Sequence, residues 1–592
     1  MSVETYGDQL CDWLVEEGYT HCFFVAGGNI MHLLNSARKR FTCVPVIHEV
    51  AASIAVEYFN ESSEGNKAFA LVTAGPGITN AITGIAGAWL ESREMLIIGG
   101  QVKSSDLASS ELRQRGIQEI NGIALTESIT KISLQIAVPL PKQEIMNAIR
   151  LGTKGRPGPI FIEFCLDAQG ASPIEIQPAK VNEERRLDLV AKIEDISAVL
   201  ELLENSVRPV FLFGAGVSRY SSKLIVHQLS IIGIPIMTTW NALDRIDSSE
   251  PFYWGRPNTW GQRSANILIQ QSDLIIAVGT RLGLQQTGFN WQRFAPIGKV
   301  VQVDIDSAEL TKMHPHIDLA INADANIFIS EFIKSLESHE PLNLSEWHSF
   351  GKLVRDLVPN NEDSNNRDPG FVNPYDFVDE LSENLTDEDL IIPCSSGGAF
   401  TTMMQGFAQK IGQKVITNKG LASMGYGLSG AIGAAYANPG RNVVLIEGDG
   451  GFAQNLQEIG TVASANLPIK FFIYDNGGYA SIKMTQKNYF GGAYVGCDRS
   501  TGLGLPEWEG LFGAFGVEVT TLDPIKPFSP LVLKRLRSKN PSAFIVPINP
   551  DQTYFPKITS QVLPNGQMES NPLHLMTPAL TEPVLSAVFK YI

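Results

Sequence analysis

Long apolar runs are absent from this sequence: none approaches the roughly 20 residues that cross a bilayer, so no membrane span is expected. Basic clusters are absent too. Lys and Arg total 46 against 62 Asp and Glu, a formal net charge of −16, and a chain with no basic stripe to neutralise phosphates is not expected to bind nucleic acid. Cysteine is sparse. The six residues, Cys11, Cys22, Cys43, Cys165, Cys394 and Cys497, show no metal-type spacing, which fits reduced, buried thiols in a cytoplasmic protein. The opening stretch MSVETYGDQLCDWLVEEG alternates charge with apolar residues at helical spacing, unlike a signal or transit peptide. Low-complexity segments are missing as well.

What is present is a recurring alternation of helices with short apolar strands. A chain of 592 residues is too long for one core. Residues 1–180 carry strands at Cys22 to Val25, Ala68 to Val72, Met95 to Ile98 and Ile160 to Phe164, several followed by glycine turns. A stretch rich in proline and charge, Ser172 to Arg186, reads as a linker. Residues 187–340 repeat the rhythm, with a helix near Lys192 to Glu204 and strands at Val210 to Phe213, Leu274 to Val278 and Val300 to Val303. The polar tract Pro359 to Asp368 marks a further boundary, residues 370–550 form a third α/β unit, and 551–592 read as an irregular tail lying over the body. The expected fold class is therefore α/β, with three domains each built on a mostly parallel sheet flanked by helices.

The third unit contains the most informative stretch, 442–483. Val443 to Glu447 is a short apolar run ending in Gly448-Asp449-Gly450-Gly451, Asn455 to Asn466 has helical spacing, and Ile469 to Tyr474 ends in Asp475-Asn476-Gly477-Gly478. A βαβ unit brings both glycine turns to the carboxyl edge of one sheet, so Asp449 and Asn476 face one crevice. A carboxylate, an amide oxygen and a backbone carbonyl are hard donors suited to Mg²⁺, which leaves positions for phosphate oxygens. The glycines admit backbone N–H groups to a diphosphate, and a helix after Gly451 would add its positive end. A lone GDG reads better as a hairpin turn. The second glycine turn, at the end of another buried strand with the 25 residues 451–475 between, reverses that preference.

With that spacing the chain resembles the thiamine diphosphate (ThDP) enzymes, within them the acetohydroxyacid synthase and pyruvate oxidase group, over its whole length and most closely in the first and third units. The resemblance implies a pyrimidine-binding domain, a Rossmann-like central domain and a diphosphate-binding domain. It implies Mg²⁺ on Asp449, Asn476 and the Gly478 carbonyl, with Gly448, Gly450, Gly451 and Tyr479 around the cofactor diphosphate. Glu49, opening a helix after a short strand, matches the glutamate that bonds the pyrimidine ring. An isolated glutamate there would otherwise stabilise a helix N-terminus. Met424 matches the apolar wedge beneath the cofactor, although composition favours a core methionine. Ser395, Ser396, Gly397 and Ser423 fall in cofactor-contacting loops, as do Pro76 and Asn80. Gly27, Gly28 and Gln118 match active-site positions facing the reacting carbonyl.

The resemblance also implies a homodimer or dimer of dimers with sites shared between chains, and FAD in the central domain near Lys131, Gly214, Gly216, Thr239, Gly279, Arg281, Asp304 and Asp324. The motif GAG at 214–216 serves plain strand-to-helix geometry equally well. Three positions in the acceptor pocket depart from the synthases: Ile117 replaces Phe, Gln285 replaces a carboxylate-binding Arg and Thr485 replaces a Trp. Losing the guanidinium costs about 1.5 to 3 kcal/mol of carboxylate recognition. The implied reaction is decarboxylation of pyruvate and transfer of its acetyl unit to a ketone or keto-sugar nucleotide. RQ-x-G-x-QE (Arg113 to Glu119) and SNPLH (Ser570 to His574) resemble a synthase-like branch associated with branched sugars and surface polysaccharides. The alternatives are an acetolactate synthase proper, an FAD-dependent pyruvate oxidase, and a non-catalytic nucleotide-binding descendant.

Overall fold

A computed structural model describes residues 4–109, 111–175, 189–337 and 339–592; most of the expected linker 172–186 lies outside the described residues. The chain forms three parallel sheets. The first contains β1 (Tyr19–Phe24), β2 (Thr42–Pro45), β3 (Lys67–Val72), β4 (Met95–Gln101), β5 (Ile132–Ile136) and β6 (Pro159–Cys165), in the order β2-β1-β3-β4-β6-β5. The second contains β7 (Pro209–Phe213), β8 (Ile236–Thr238), β9 (Leu274–Val278), β10 (Lys299–Asp304) and β11 (Leu319–Asn322), in the order β11-β10-β9-β7-β8. The third contains β12 (Leu390–Ile392), β13 (Lys414–Val415), β14 (Val443–Gly448), β15 (Ile469–Asp475), β16 (Glu518–Thr521) and β17 (Ser542–Pro547), in the order β13-β12-β14-β15-β17-β16. Counted from its own first strand, the third sheet repeats the order of the first. Continuous apolar runs form the central strands because both faces are buried under helices.

That shared order matters for where ligands go. In each sheet the direction of succession reverses beside the first strand, and such a switch point opens a crevice at the carboxyl edge. The loops after β1 and β3 flank the first crevice, those after β7 and β9 the second, and those after β12 and β14 the third.

The first and third sheets share one hydrophobic core. Its seam is the helix Glu49–Ser62 against the helix Tyr426–Ala437, which approach closely because the second helix carries glycine at the contact. A Cβ on Gly433 would lie 2.0 Å from the Ala55 carbonyl oxygen, and one on Gly430 would lie 2.6 Å from the Tyr58 ring. Glu57, fully buried, adds a polar tie across the seam. It accepts hydrogen bonds from Arg93 (2.6 Å) in its own unit and from Asn418 (2.9 Å) and Tyr426 (2.5 Å) in the other.

The segment after 550 differs from the irregular tail expected. It contains an antiparallel hairpin, β18 (Ser560–Val562) with β19 (Met568–Ser570), and a helix Glu582–Val588. Leu573, Met576 and Val588 join the core of the central unit. The polar tract 359–368 is a fastening rather than a simple boundary: buried Asn365 donates to the Phe555 carbonyl (2.9 Å) and accepts from its N–H (2.8 Å).

The helix seam is directly testable. Gly433→Ala forces a methyl into the Ala55 backbone and is expected to destabilise the protein by about 1 to 3 kcal/mol, read as a lower urea midpoint. Gly513→Ala, which meets nothing within 4 Å, is expected to leave the midpoint unchanged.

Candidate functional site

One side of the third crevice is built by two neighbouring strands. In the parallel pair β14 and β15, Gly448 stands opposite Tyr474, so Asp449 and Asn476 leave the sheet side by side. Asp449 is 1% exposed. Its Oδ1 accepts from the Gly450 N–H (2.7 Å), and its Oδ2 from the N–H groups of Asn476 (3.2 Å) and Gly478 (2.9 Å). Gly477 and Gly478 have φ of +82° and +142°, left-handed conformations that glycine adopts freely. They turn the Gly478 carbonyl toward the Asn476 amide. Gly450 carries no side chain because the Tyr479 ring occupies that space, 2.4 Å from where a Cβ would be.

The orientation of Asn476 is the decisive detail. The inward atom of its amide lies 2.9 Å from the Gly478 carbonyl oxygen and 3.3 Å from Asp449 Oδ1. As nitrogen it donates to both; as oxygen it stands beside each of them at a separation near the edge of a Mg²⁺ octahedron, about 3 Å for metal–oxygen distances of about 2.1 Å. Burial pushes the Asp449 carboxyl up to about 7, with the Asp475 charge adding to it and the surrounding N–H groups opposing it. A buried carboxylate held at that cost gains from a cation. The helix expected after Gly451 is a single turn, Asp449–Phe452, and the stretch 455–466 divides into a 3₁₀ turn at Leu456–Glu458 and a helix Ile459–Ser464. The attraction for an anion therefore rests on local N–H groups rather than on a long helix dipole.

Around this centre, Ser395 and Ser396 follow β12, and Ser396 caps the helix Gly397–Gly406 without a side-chain bond. Gly397 has φ of +80°. Ser395 Oγ donates to the Ser423 carbonyl, joining this loop to the one carrying Met424. Met424 is 38% exposed and precedes the helix Tyr426–Ala437. It is not the core methionine that composition favoured.

In the first crevice, Glu49 opens its helix after the N-cap His48 and accepts from Asn80 Nδ2 (3.0 Å). Asn80 lies on the helix Pro76–Glu91, whose first residue is Pro76. Gly27 and Gly28 follow β1, and a Cβ on Gly27 would strike Thr73 at 2.4 Å. Gln118 has φ of +62°, strained for a residue with a side chain, and its carbonyl packs 2.4 Å from where a Gly75 Cβ would lie. Buried Glu119 holds that loop, accepting from the N–H groups of Ala108 (2.5 Å), Arg115 (2.8 Å) and Gly116 (2.8 Å). Ile117 is 86% exposed. Among the described residues, no hydrogen bond joins Glu49 to 448–451 or 476–479 in the same chain. Glu458, following the Asp449 turn, accepts from the N–H groups of Ile47 (3.1 Å) and His48 (3.0 Å), a tie that the sequence reading missed because nothing local marks it.

The remaining positions scatter. Gln285 is exposed on the short helix Leu284–Thr287. Thr485 is exposed on the helix Ala480–Phe490, its hydroxyl donating to the Ser481 carbonyl (3.0 Å). In the central unit Gly214, Gly216, Thr239, Gly279, Arg281, Asp304 and Asp324 all stand at the carboxyl ends of β7 to β11. Gly214 and Gly216 pack backbone to backbone on Gly279, and Asp324 caps the helix Ala325–Leu336. Burial pushes the Asp304 carboxyl up to about 6. Lys131 immediately precedes β5, and its ammonium donates to the carbonyls of Lys154 and Arg156.

The oxygen set predicts a simple loss. Asn476→Ala removes one of three protein oxygens and is expected to weaken Mg²⁺ binding in the presence of ThDP by more than about tenfold, measured by calorimetric titration.

Comparisons with known proteins agree with this arrangement. The chain matches the thiamine pyrophosphate enzyme N-terminal TPP binding domain over residues 4–125, the central domain over 196–332 and the C-terminal TPP binding domain over 396–546. It is 31% identical over 457 residues to a probable acetolactate synthase large subunit of Methanocaldococcus jannaschii, covering 75% of each chain. It is 28% identical over 571 residues to an acetolactate synthase of Arthrospira platensis, covering 93% of this chain and 95% of that one. With the acetolactate synthase isozyme 2 large subunit of Escherichia coli it shares 28% over 520 residues, 85% of this chain and 89% of that one. Two domains with one strand order, the paired glycine turns and these likenesses place the chain in the thiamine pyrophosphate enzyme family, as an acetolactate synthase-like, carbon–carbon bond-forming enzyme.

Proposed function

We propose that the chain decarboxylates pyruvate and transfers the acetyl unit to a carbonyl acceptor other than a simple 2-keto acid. The observation that carries the first half is the set of Asp449, Asn476 and Gly478 oxygens, which fits Mg²⁺ holding the diphosphate of ThDP. When bound, the coenzyme supplies the carbon nucleophile and accepts the electrons released by decarboxylation. The chain's residues do the rest. Asp449, Asn476 and the Gly478 carbonyl would hold the cation, and the N–H group at Gly397 would face phosphate oxygens. Glu49 would keep a proton at the pyrimidine ring, its carboxylate steadied by Asn80. Met424 would press on the cofactor from its loop. Gln118, fixed by its strained backbone and the Glu119 clasp, would orient the reacting carbonyl beside Gly27 and Gly28.

Each site would be completed by a second copy, with a dimer as the minimum unit. The carboxyl edge of β7 to β11 would hold FAD, with Asp304 and Arg281 at its rim. That flavin would be structural, since carboligation needs no redox step.

The second half rests on Gln285 and Thr485, which offer neither a guanidinium for a carboxylate nor a broad ring for an alkyl group. A ketone or keto-sugar nucleotide, as in branched-sugar pathways, suits such a pocket. The names of the relatives favour the other reading, an acetolactate synthase with a keto-acid acceptor. Product analysis separates them. With Mg²⁺, ThDP and labelled pyruvate, the protein is expected to label added ketones or keto-sugar nucleotides faster than it makes acetolactate. Acetolactate formed at least as fast as every other product would establish the synthase reading instead, and flavin bleached by pyruvate without oxygen would mark an oxidase.

A further inference from the structure

The loop that carries Met424 is held from outside its own unit. Residues 416–425, between β13 and the helix Tyr426–Ala437, contain no helix or strand. Ala422 within them has φ of +56°, a left-handed conformation that is costly for a residue with a side chain. Glu91 of the first unit grips the loop just before that point. Its Oε1 accepts from the N–H groups of Lys419 (2.5 Å) and Gly420 (2.5 Å), and its Oε2 accepts from the Asn241 amide of the central unit. Gly420 leaves room for this approach: a Cβ there would lie 2.9 Å from the Leu90 Cβ and 3.3 Å from Glu91 Oε1.

Glu91 is the last residue of the helix Pro76–Glu91, the end at which the helix dipole disfavours a negative charge. Bonds from N–H donors to an ionised carboxylate are the strong kind, and they outweigh that local penalty. The grip also comes from a rigid element, because the same helix carries the Asn80 that bonds Glu49. On the other side of the strained residue, Ser395 Oγ donates to the Ser423 carbonyl. Met424 itself is 38% exposed, so backbone anchors on either side of Ala422, rather than core packing, fix its place.

We propose that Glu91 is a positioning residue for the coenzyme wedge: its clasp on Lys419 and Gly420 keeps the loop in the strained form that presents Met424 to the cofactor. This rests on the reading of Met424 as the residue that presses on bound ThDP. Glu91 acts only through backbone N–H groups that precede Met424 in the same loop. Without the clasp, Ala422 can relax out of its left-handed conformation and the wedge loses its place.

The test compares wild type, Glu91→Ala, Met424→Ala and the double variant by two readouts. Exchange of the C2 hydrogen of bound ThDP for deuterium, followed by acid quench and proton NMR, reports whether the coenzyme is held in its reactive geometry. Calorimetric titration of Mg²⁺ with inorganic pyrophosphate into the coenzyme-free proteins reports the diphosphate site alone. Glu91→Ala is expected to exchange at least about tenfold more slowly while binding pyrophosphate within about twofold of wild type. The double variant is expected to be no slower than Met424→Ala, since the two residues act in series. Glu91→Gln, which keeps one oxygen for the Lys419 and Gly420 N–H groups, is expected to recover most of the rate. Should the alanine variant not fold, Glu91→Asp, one methylene shorter, takes its place with the same expectations. Exchange within about twofold of wild type in Glu91→Ala overturns the proposal. So does a double variant slowed by the full product of the two single effects, which places the action of Glu91 outside the wedge, and so does pyrophosphate binding weakened as much as exchange, which marks a loosened site. Met424→Ala exchanging at the wild-type rate refutes the underlying reading of Met424 instead.

Discussion

Three oxygens crowded at the ends of two adjacent parallel strands set the terms for the rest of this structure. Asp449 is buried, and its carboxylate keeps its place only because N–H groups from Gly450, Asn476 and Gly478 converge on it. Those groups converge because Gly477 and Gly478 take backbone conformations that L side chains avoid. The strand register fixes the spacing, the glycines fix the direction, and a cation would satisfy what remains.

The enzyme is organised as two versions of one sheet facing each other through a helix pair. Small residues on Tyr426–Ala437 bring that pair into close contact, and the Glu57 and Glu458 ties cross the same boundary. These contacts do not build the oxygen site, but they hold Glu49 and the Asp449 turn in one rigid frame. The central unit adds a third crevice of the same kind, and the C-terminal segment laces it to the third sheet through Asn365.

The sequence was most legible where function depends on local pattern. The glycine turns after Val443–Glu447 and Ile469–Tyr474 are visible because oxygen donors and glycines sit next to apolar runs, and the strands fall within a residue or two of their expected ends. The short polar strand Glu518–Thr521 and the three-residue strand Leu390–Ile392 had too little pattern to read. The helix 455–466 was overextended, since its spacing said nothing of the break at Glu458, whose carboxylate is committed to another unit. Glu119 and Glu57 are invisible in the sequence for the same reason: their partners are 3 to 369 residues away.

The account's central claim, that Asp449, Asn476 and the Gly478 carbonyl jointly hold a divalent cation, has one direct test. Crystals grown with ThDP and Mn²⁺ in place of Mg²⁺ are expected to show a single strong anomalous peak within about 2.2 Å of all three oxygens. A peak elsewhere in the chain, or cofactor density with no metal beside Asp449, would contradict it.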